Sequence, residues 1–104
     1  MEVQLKTIIS YLDDDRIFVT EHMSSRMLER GISISDLKSA IRNGEIIESY
    51  PDDFPFPSCL ILGKSHDGKA IHIVLSDEND CSHLITAYYP DPEKWSNDLK
   101  ERKN

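Results

Sequence analysis

The feature that most constrains this chain is a change of hydrophobic period at Asn43-Gly44. Before it, apolar residues recur every three or four positions; after it, they alternate or run in short β-branched blocks. Leu5, Ile8, Ile9 and Leu12 make the apolar stripe of an amphipathic helix over residues 2–12. Met23 and Met27 stripe a second helix between Thr20 and Gly31, and Ile34, Leu37 and Ile41 a third. Residues 45–50, 58–63, 70–75 and 83–89 read as strands, with Ile71, Ile73 and Leu75 alternating against His72 and Val74. In the last, Ile85, Ala87 and Tyr89 alternate against Leu84, Thr86 and Tyr88. Helices followed by hairpin-linked strands predict an α+β fold, with N-terminal helices packed on an antiparallel sheet of about four strands.

Punctuation between these segments is explicit. Asp13-Asp14-Asp15 ends the first helix, because like negative charges oppose the macrodipole at a C-terminus. Arg16 to Val19 is an extended segment or short edge strand. Thr20 is an N-cap, Gly31 a C-cap, and Ser33 with Asp36 an Asp variant of the capping box. Three prolines between Pro51 and Pro57 exclude regular pairing there, and Asp67-Gly68 marks a hairpin turn. Asp91 as cap, Pro92 as first helical residue, and Trp95 with Leu99 predict a short C-terminal helix. Residues 100–104 are charged and predicted to fray. The 104 residues suit a single domain, 1–104.

Composition narrows the function. A net charge of −7 argues against general affinity for nucleic acid, although the aspartates cluster at turns and leave room for a local cationic site. No run approaches the roughly 20 apolar residues of a membrane span. The N-terminus lacks the basic start and apolar run of a secretory signal, so a cytoplasmic protein is expected. Cys59 and Cys81 have no CxxC partner, and no metal signature, nucleophile elbow or phosphate-cradling glycine loop occurs. No cofactor or metal is expected. What is left is metal-free acid–base chemistry by His, Arg and Tyr.

Two histidines stand out. His22 heads a polar stripe that continues through Arg26 and Arg30 on one helix face. Such a face holds a phosphate or a partner's carboxylate, or it is a solvated face with the arginines paired to Glu21 and Glu29. His72 interrupts an apolar strand, where an imidazole needs a hydrogen-bond partner, as a satisfied core residue or as a reactive group. His66 and His83 lie beside turns and are expected in solvent. The second and third helices, joined through Gly31-Ile32-Ser33, also fit a DNA-binding helix-turn-helix, but the third carries only Lys38 and Arg42 as cations.

An ordered set of residues then resembles a known family. It comprises His22-x3-Arg26-Met27-x2-Arg30-Gly31-Ile32, Gly44-Glu45-Ile46-Ile47, Tyr50-Pro51-Asp52-Asp53, Pro57-Ser58 and Tyr89-x-Asp91-Pro92-x2-Trp95. Over about residues 17–97 the chain resembles the bacterial domain of unknown function 4258. That family is grouped with the RelE-like toxins, small α+β proteins that cut RNA without metal and are neutralised by an antitoxin protein. The resemblance therefore implies a metal-independent endoribonuclease toxin with an RNA substrate and a cognate antitoxin as partner. It carries His22, Arg26, Arg30, His72 and Tyr89 over as catalytic candidates: a histidine as general acid or base, the arginines as phosphate stabilisers, Tyr89 as a positioning group. Tyr50, Asp52 and Asp53 carry over as binding candidates. The alternatives are a non-enzymatic protein-interaction module, using the cationic helix face and the Pro-rich loop, and a DNA-binding regulator.

Overall fold

The computed structural model describes residues 2–103. Helices α1 (Leu5–Asp13), α2 (Glu21–Arg30) and α3 (Ile34–Asn43) form where the apolar stripes lie. Helix α1 ends by a backbone turn as well as by charge. Asp15 takes the left-handed conformation (φ 56°) that Asp tolerates, and the Arg16 N–H closes on the Tyr11 carbonyl at 2.7 Å.

The start and end signals of α2 and α3 are realised. Thr20 Oγ1 accepts from the Met23 N–H at 3.1 Å. Gly31 is left-handed (φ 72°), and the Ile32 N–H reaches back to the Met27 carbonyl at 2.9 Å in a Schellman closure. Ser33 and Asp36 complete the capping box in both directions. Removing one such cap costs about 1 kcal/mol. Thr20→Ala should therefore lower the unfolding free energy by that amount, seen as a lower urea midpoint with an unchanged slope, and an unshifted midpoint would show that α2 is held by packing alone.

The sheet has five strands: β1 (Ile17–Phe18), β2 (Glu45–Tyr50), β3 (Ser58–Lys64), β4 (Ala70–Ser76) and β5 (Ser82–Tyr88), in the order β1-β5-β4-β3-β2. The expected antiparallel meander of four is present, but the short segment after α1 adds a fifth strand, parallel to β5. The sheet is therefore mixed and open.

The helices cover one face, where Ile8, Ile41, Ile61, Ile71, Ile73 and Leu75 are fully buried. α3 lies close on β3 through Gly63. A Cβ at Gly63 would stand 1.9 Å from the Ala40 carbonyl oxygen, so only glycine admits the helix backbone there. The Asn43 amide fastens the same seam, accepting from the Lys64 N–H at 2.8 Å and donating to its carbonyl at 3.0 Å.

Two β-bulges redirect side chains. In β2, Ile46 pairs with Ile61 but Glu48 pairs with Leu60, leaving Ile47 as the extra residue. In β5, Thr86 pairs with Val74 but Leu84 with Leu75, leaving Ile85 extra and half exposed. Leu84 consequently joins Ala87 in the core, which corrects the simple alternation expected for this strand.

The expected C-terminal helix does not form. Asp91 starts one turn, its carbonyl accepting from the Lys94 and Trp95 N–H groups. The chain then doubles back, with a Trp95–Arg102 bridge and Leu99 at φ 64°. Asp98 captures the Ser96 hydroxyl at 2.5 Å and the Lys100 N–H at 3.1 Å, so side chains take over the bonds that would have propagated a helix. Residues 90–103 thus form a strap. It crosses the sheet face that the helices leave open, which is called the far face below.

Candidate active site

Each expected site residue can be placed by face. His22 and Arg26 are exposed on α2, and their side chains hold no hydrogen bond or ion pair among the described residues. Arg30 is exposed but engaged, donating to the Ala87 carbonyl at 2.7 Å and to Thr86 Oγ1 at 3.4 Å. The Tyr89 hydroxyl donates to the Gly31 carbonyl at 3.0 Å. Arg30 and Tyr89 therefore dock the end of α2 to the end of β5, on the helix face. Asp53 is spent on the Ser58 hydroxyl at 2.5 Å, inside the Pro-rich loop, and Asp52 is exposed. Arg42, one of the two cations of the helix-turn-helix reading, is paired to Asp13 at 2.6 Å.

His72 faces the other way. Its neighbours Ile71 and Ile73 enter the helix-side core, and its cross-strand partners are Leu62 and Tyr88. The sheet therefore lies between His72 and the α2 stripe, and the five catalytic candidates do not form one site. Sequence spacing places residues along an element; it does not say which face of a sheet the element's neighbours occupy.

On the far face His72 has a different company. It is fully buried, with the Trp95 ring edge-on at 4.4 Å and the Tyr88 ring at 5.3 Å. Nε2 lies 2.8 Å from the Leu99 carbonyl, an acceptor only, so this nitrogen carries the hydrogen. Nδ1 then accepts from the Tyr88 hydroxyl at 3.2 Å. Burial pushes the imidazole's pKa below the ordinary histidine value, and the Leu99 carbonyl and the Glu48 charge recover only part of that fall.

Next to it in the same surface, Glu48 accepts from the Tyr50 hydroxyl and from Arg102, whose Nε and Nη2 each lie 3.2 Å from one carboxylate oxygen. The guanidinium also stacks over Trp95 at 4.7 Å. Burial alone would raise the Glu48 pKa, but the hydrogen bonds from Tyr50 and Arg102 outweigh it and hold the carboxyl below its usual range. Burial and the bond to Glu48 push the Tyr50 phenol up to about 12. Near neutral pH the cluster thus holds one carboxylate, one guanidinium, a neutral imidazole and two neutral phenols. Groups of these types can accept and donate protons and can hold an anion.

Sequence reasoning found His72 and Tyr50 but missed Glu48, Tyr88, Trp95 and Arg102 as members of this cluster. Plain alternation from Glu45 would send Glu48 and Tyr50 to the helix face; the Ile47 bulge returns them to the far face, in the row of Leu60 and Val74. Arg102 falls in the segment expected to fray, yet it is held by Glu48, and Lys100 by Glu45 at 2.8 Å. Asn104, the last of that segment, lies outside the described residues. A cavity of about 520 Å³ opens beside the strap, lined by Glu45, Leu62, Ala70, Asp98, Leu99 and Lys100.

The His72 contacts have a pH consequence. The unfolded chain binds a proton at this imidazole near the ordinary value of about 6.5, whereas the folded chain does so only at lower pH. Between the two values the unfolded state holds more protons, so the contribution to stability is complete above about 6.5 and is lost as pH falls below it. The thermal midpoint should drop between about pH 7.5 and about pH 5.5. His72→Gln should remove that part of the slope; an identical slope in the variant would assign it to other groups.

Of the remaining histidines, His66 is exposed and stands 2.6 Å from Asp36, and His83 stands 2.9 Å from Glu78. Two sets of donors among the described residues are close enough to share a metal ion: Asp36, His66 and Asp67, and Glu78, Cys81 and His83. No helix among the described residues is long and apolar enough to cross a membrane.

No curated protein and no solved structure matches this sequence. A family model does, over residues 19–89: the domain of unknown function DUF4258. The matched stretch runs from Val19, next to the cap of α2, to Tyr89, so it includes Glu48, Tyr50, His72 and Tyr88 and stops before the strap. The chain belongs to the DUF4258 family.

Proposed function

We propose that this protein is a metal-independent endoribonuclease of the toxin type, with its reaction centre on the far face of the sheet. One observation carries the reading: Glu48, Arg102, Tyr50, His72 and Tyr88 gather on one surface, an ionised carboxylate and a guanidinium beside an imidazole and two phenols. The ionised Glu48 carboxylate takes the proton of a ribose 2′-hydroxyl. The 2′-oxygen bonds to phosphorus while the bond from phosphorus to the 5′-oxygen breaks. Arg102 and Tyr50 donate to the phosphoryl oxygens as charge builds on them. His72, protonated once a phosphate lies beside it, passes its proton to the departing 5′-oxygen.

Trp95 and Leu99 cover His72, so in this cycle that local cover shifts off the imidazole while Arg102 keeps its bonds to Glu48; Glu48 and Arg102, a quarter and three-fifths exposed, are the groups that meet RNA first. The RelE-like grouping and an antitoxin partner belong to the same proposal. The α2 face with His22 and Arg26 is then a surface for an acidic segment of that partner, because both side chains are uncommitted and point away from the centre.

The test is incubation of the purified full chain with a labelled RNA in the presence of a chelator. Expected are fragments ending in a 2′,3′-cyclic phosphate. RNA left intact at high protein concentration, with and without the chelator, would overturn the proposal. The second reading is a non-enzymatic interaction module. It is favoured by the exposed apolar groups Phe54, Ile85 and Phe18, which are 94%, 48% and 47% accessible. In that case RNA stays intact, and substitution of Phe54 weakens a complex instead.

A further inference from the structure

We propose that the turn joining β4 to β5 is a zinc site, with Glu78, Cys81 and His83 as its protein ligands and a fourth position open to the neighbouring groove. One donor atom from each residue, a carboxylate oxygen, a thiol sulfur and an imidazole nitrogen, lies within 4.8 Å of the other two. Metal–ligand bonds of about 2.0 to 2.3 Å in a tetrahedron put ligand atoms roughly 3.5 Å apart. Small side-chain rotations therefore bring the three onto one ion, with no movement of the strands.

The residues around the turn hold the donors in place. Ser76 Oγ donates to Glu78 Oε2 at 2.7 Å and accepts from the His83 backbone N–H at 3.0 Å, so one hydroxyl orients the Glu78 carboxylate and pins the main chain that carries His83. The Glu78 N–H closes on the Cys81 carbonyl at 2.9 Å, through Asn79 in a left-handed conformation (φ 76°). Asp77 ties the turn to the helix-side core by accepting from the Tyr11 hydroxyl at 2.7 Å.

Donor chemistry selects the metal. A thiolate and an imidazole favour zinc or cobalt over magnesium and calcium, which take oxygen ligands. On binding, the Cys81 thiol proton leaves to solvent and His83 Nδ1 presents its lone pair in place of its contact with Glu78. The thiolate and carboxylate then neutralise the ion's two positive charges. Three protein ligands leave one tetrahedral position unfilled. Glu78 and His83 both line a groove of about 390 Å³ shared with Asp53, Phe54, Phe56 and Ile85, so that position faces a space able to admit a water or a side chain from a partner. The other donor set, Asp36, His66 and Asp67, holds no thiolate and so matches zinc less well. The zinc takes no part in the chemistry assigned to Glu48 and His72, and the site stands or fails apart from it.

The experiment is titration of the metal-free full chain with Co²⁺, followed by visible and near-ultraviolet absorption. Expected is one equivalent bound, with a thiolate-to-cobalt charge-transfer band and the strong visible bands of a four-coordinate ion, both abolished by one equivalent of Zn²⁺. Cys81→Ser should remove the charge-transfer band, and His83→Ala should weaken binding by about 100-fold or more. Ser76→Ala, which keeps all three ligands, should weaken it by about tenfold. Asp67→Asn should change nothing. Circular dichroism of each metal-free variant shows whether it is folded, and Cys81→Ala stands in if the serine variant is not. Absence of binding at one equivalent, or a cobalt spectrum unchanged by Cys81→Ser or lost in Asp67→Asn, would overturn the assignment.

Discussion

Gly63→Ala should lower the stability of this protein by about 3 kcal/mol or more, the upper end of what overpacking a filled interior costs. The added methyl would stand 1.9 Å from the Ala40 carbonyl oxygen, 2.6 Å from its carbon and 2.7 Å from its Cα. All three are backbone atoms, so no rotamer change relieves the clash and α3 must move off β3. That movement also pulls at the Asn43–Lys64 pairing and uncovers Ile41 and Ile61, both fully buried. A domain of this size has roughly 5–15 kcal/mol to lose, so the urea midpoint should fall by a large fraction. A change below about 0.5 kcal/mol would mean that α3 and β3 do not meet at this glycine.

The second large effect concerns chemistry. On the mechanism proposed above, Glu48→Gln should reduce RNA cleavage by about 100-fold or more, the usual contribution of a positioned general base. Glutamine preserves the shape, and its amide oxygen still accepts from Tyr50 and from Arg102 Nη2 while only the Arg102 Nε bond is lost, so circular dichroism and the unfolding midpoint should change far less than the rate. His22→Ala, by contrast, should leave the rate unchanged, because the sheet separates α2 from the far-face cluster. If cleavage persists in Glu48→Gln and disappears in His22→Ala, the reaction centre belongs on the helix face after all. The pair of variants thus separates the two placements of the chemistry.

Much of the fold was legible because its signals are local. Thr20, Gly31 and the Ser33–Asp36 box act within four residues of themselves, and each makes the bond its type and position imply. The alternation around His72 was also correct, since no bulge interrupts the pairing of β3 with β4. The misreadings arose where one extra residue or one competing side chain decides. Ile47 and Ile85 shift register without any proline or glycine to announce it. At the C-terminus, Ser96, Asp98 and Lys100 bond to one another in place of the helix that Asp91, Pro92 and Trp95 start. The parallel pairing of β1 with β5 joins segments some 65 positions apart (Ile17 to Ser82) and has no local signature.

The sequence by itself determined the three helices, the strand meander and the family, because periodicity, caps and short motifs are properties of neighbouring residues. It also supplied the chemical vocabulary of His, Tyr, Arg and carboxylate. Only the tertiary structure decided which of those groups meet. It put His22, Arg26, Arg30 and Tyr89 on one side of the sheet and His72 on the other. It turned Glu48 and Tyr50 toward His72 through a single inserted residue, and it brought Arg102 and Trp95 back from the end of the chain. The physical reason is that a side chain's face depends on register, and register is set by the strands on either side rather than by the residue's own neighbours.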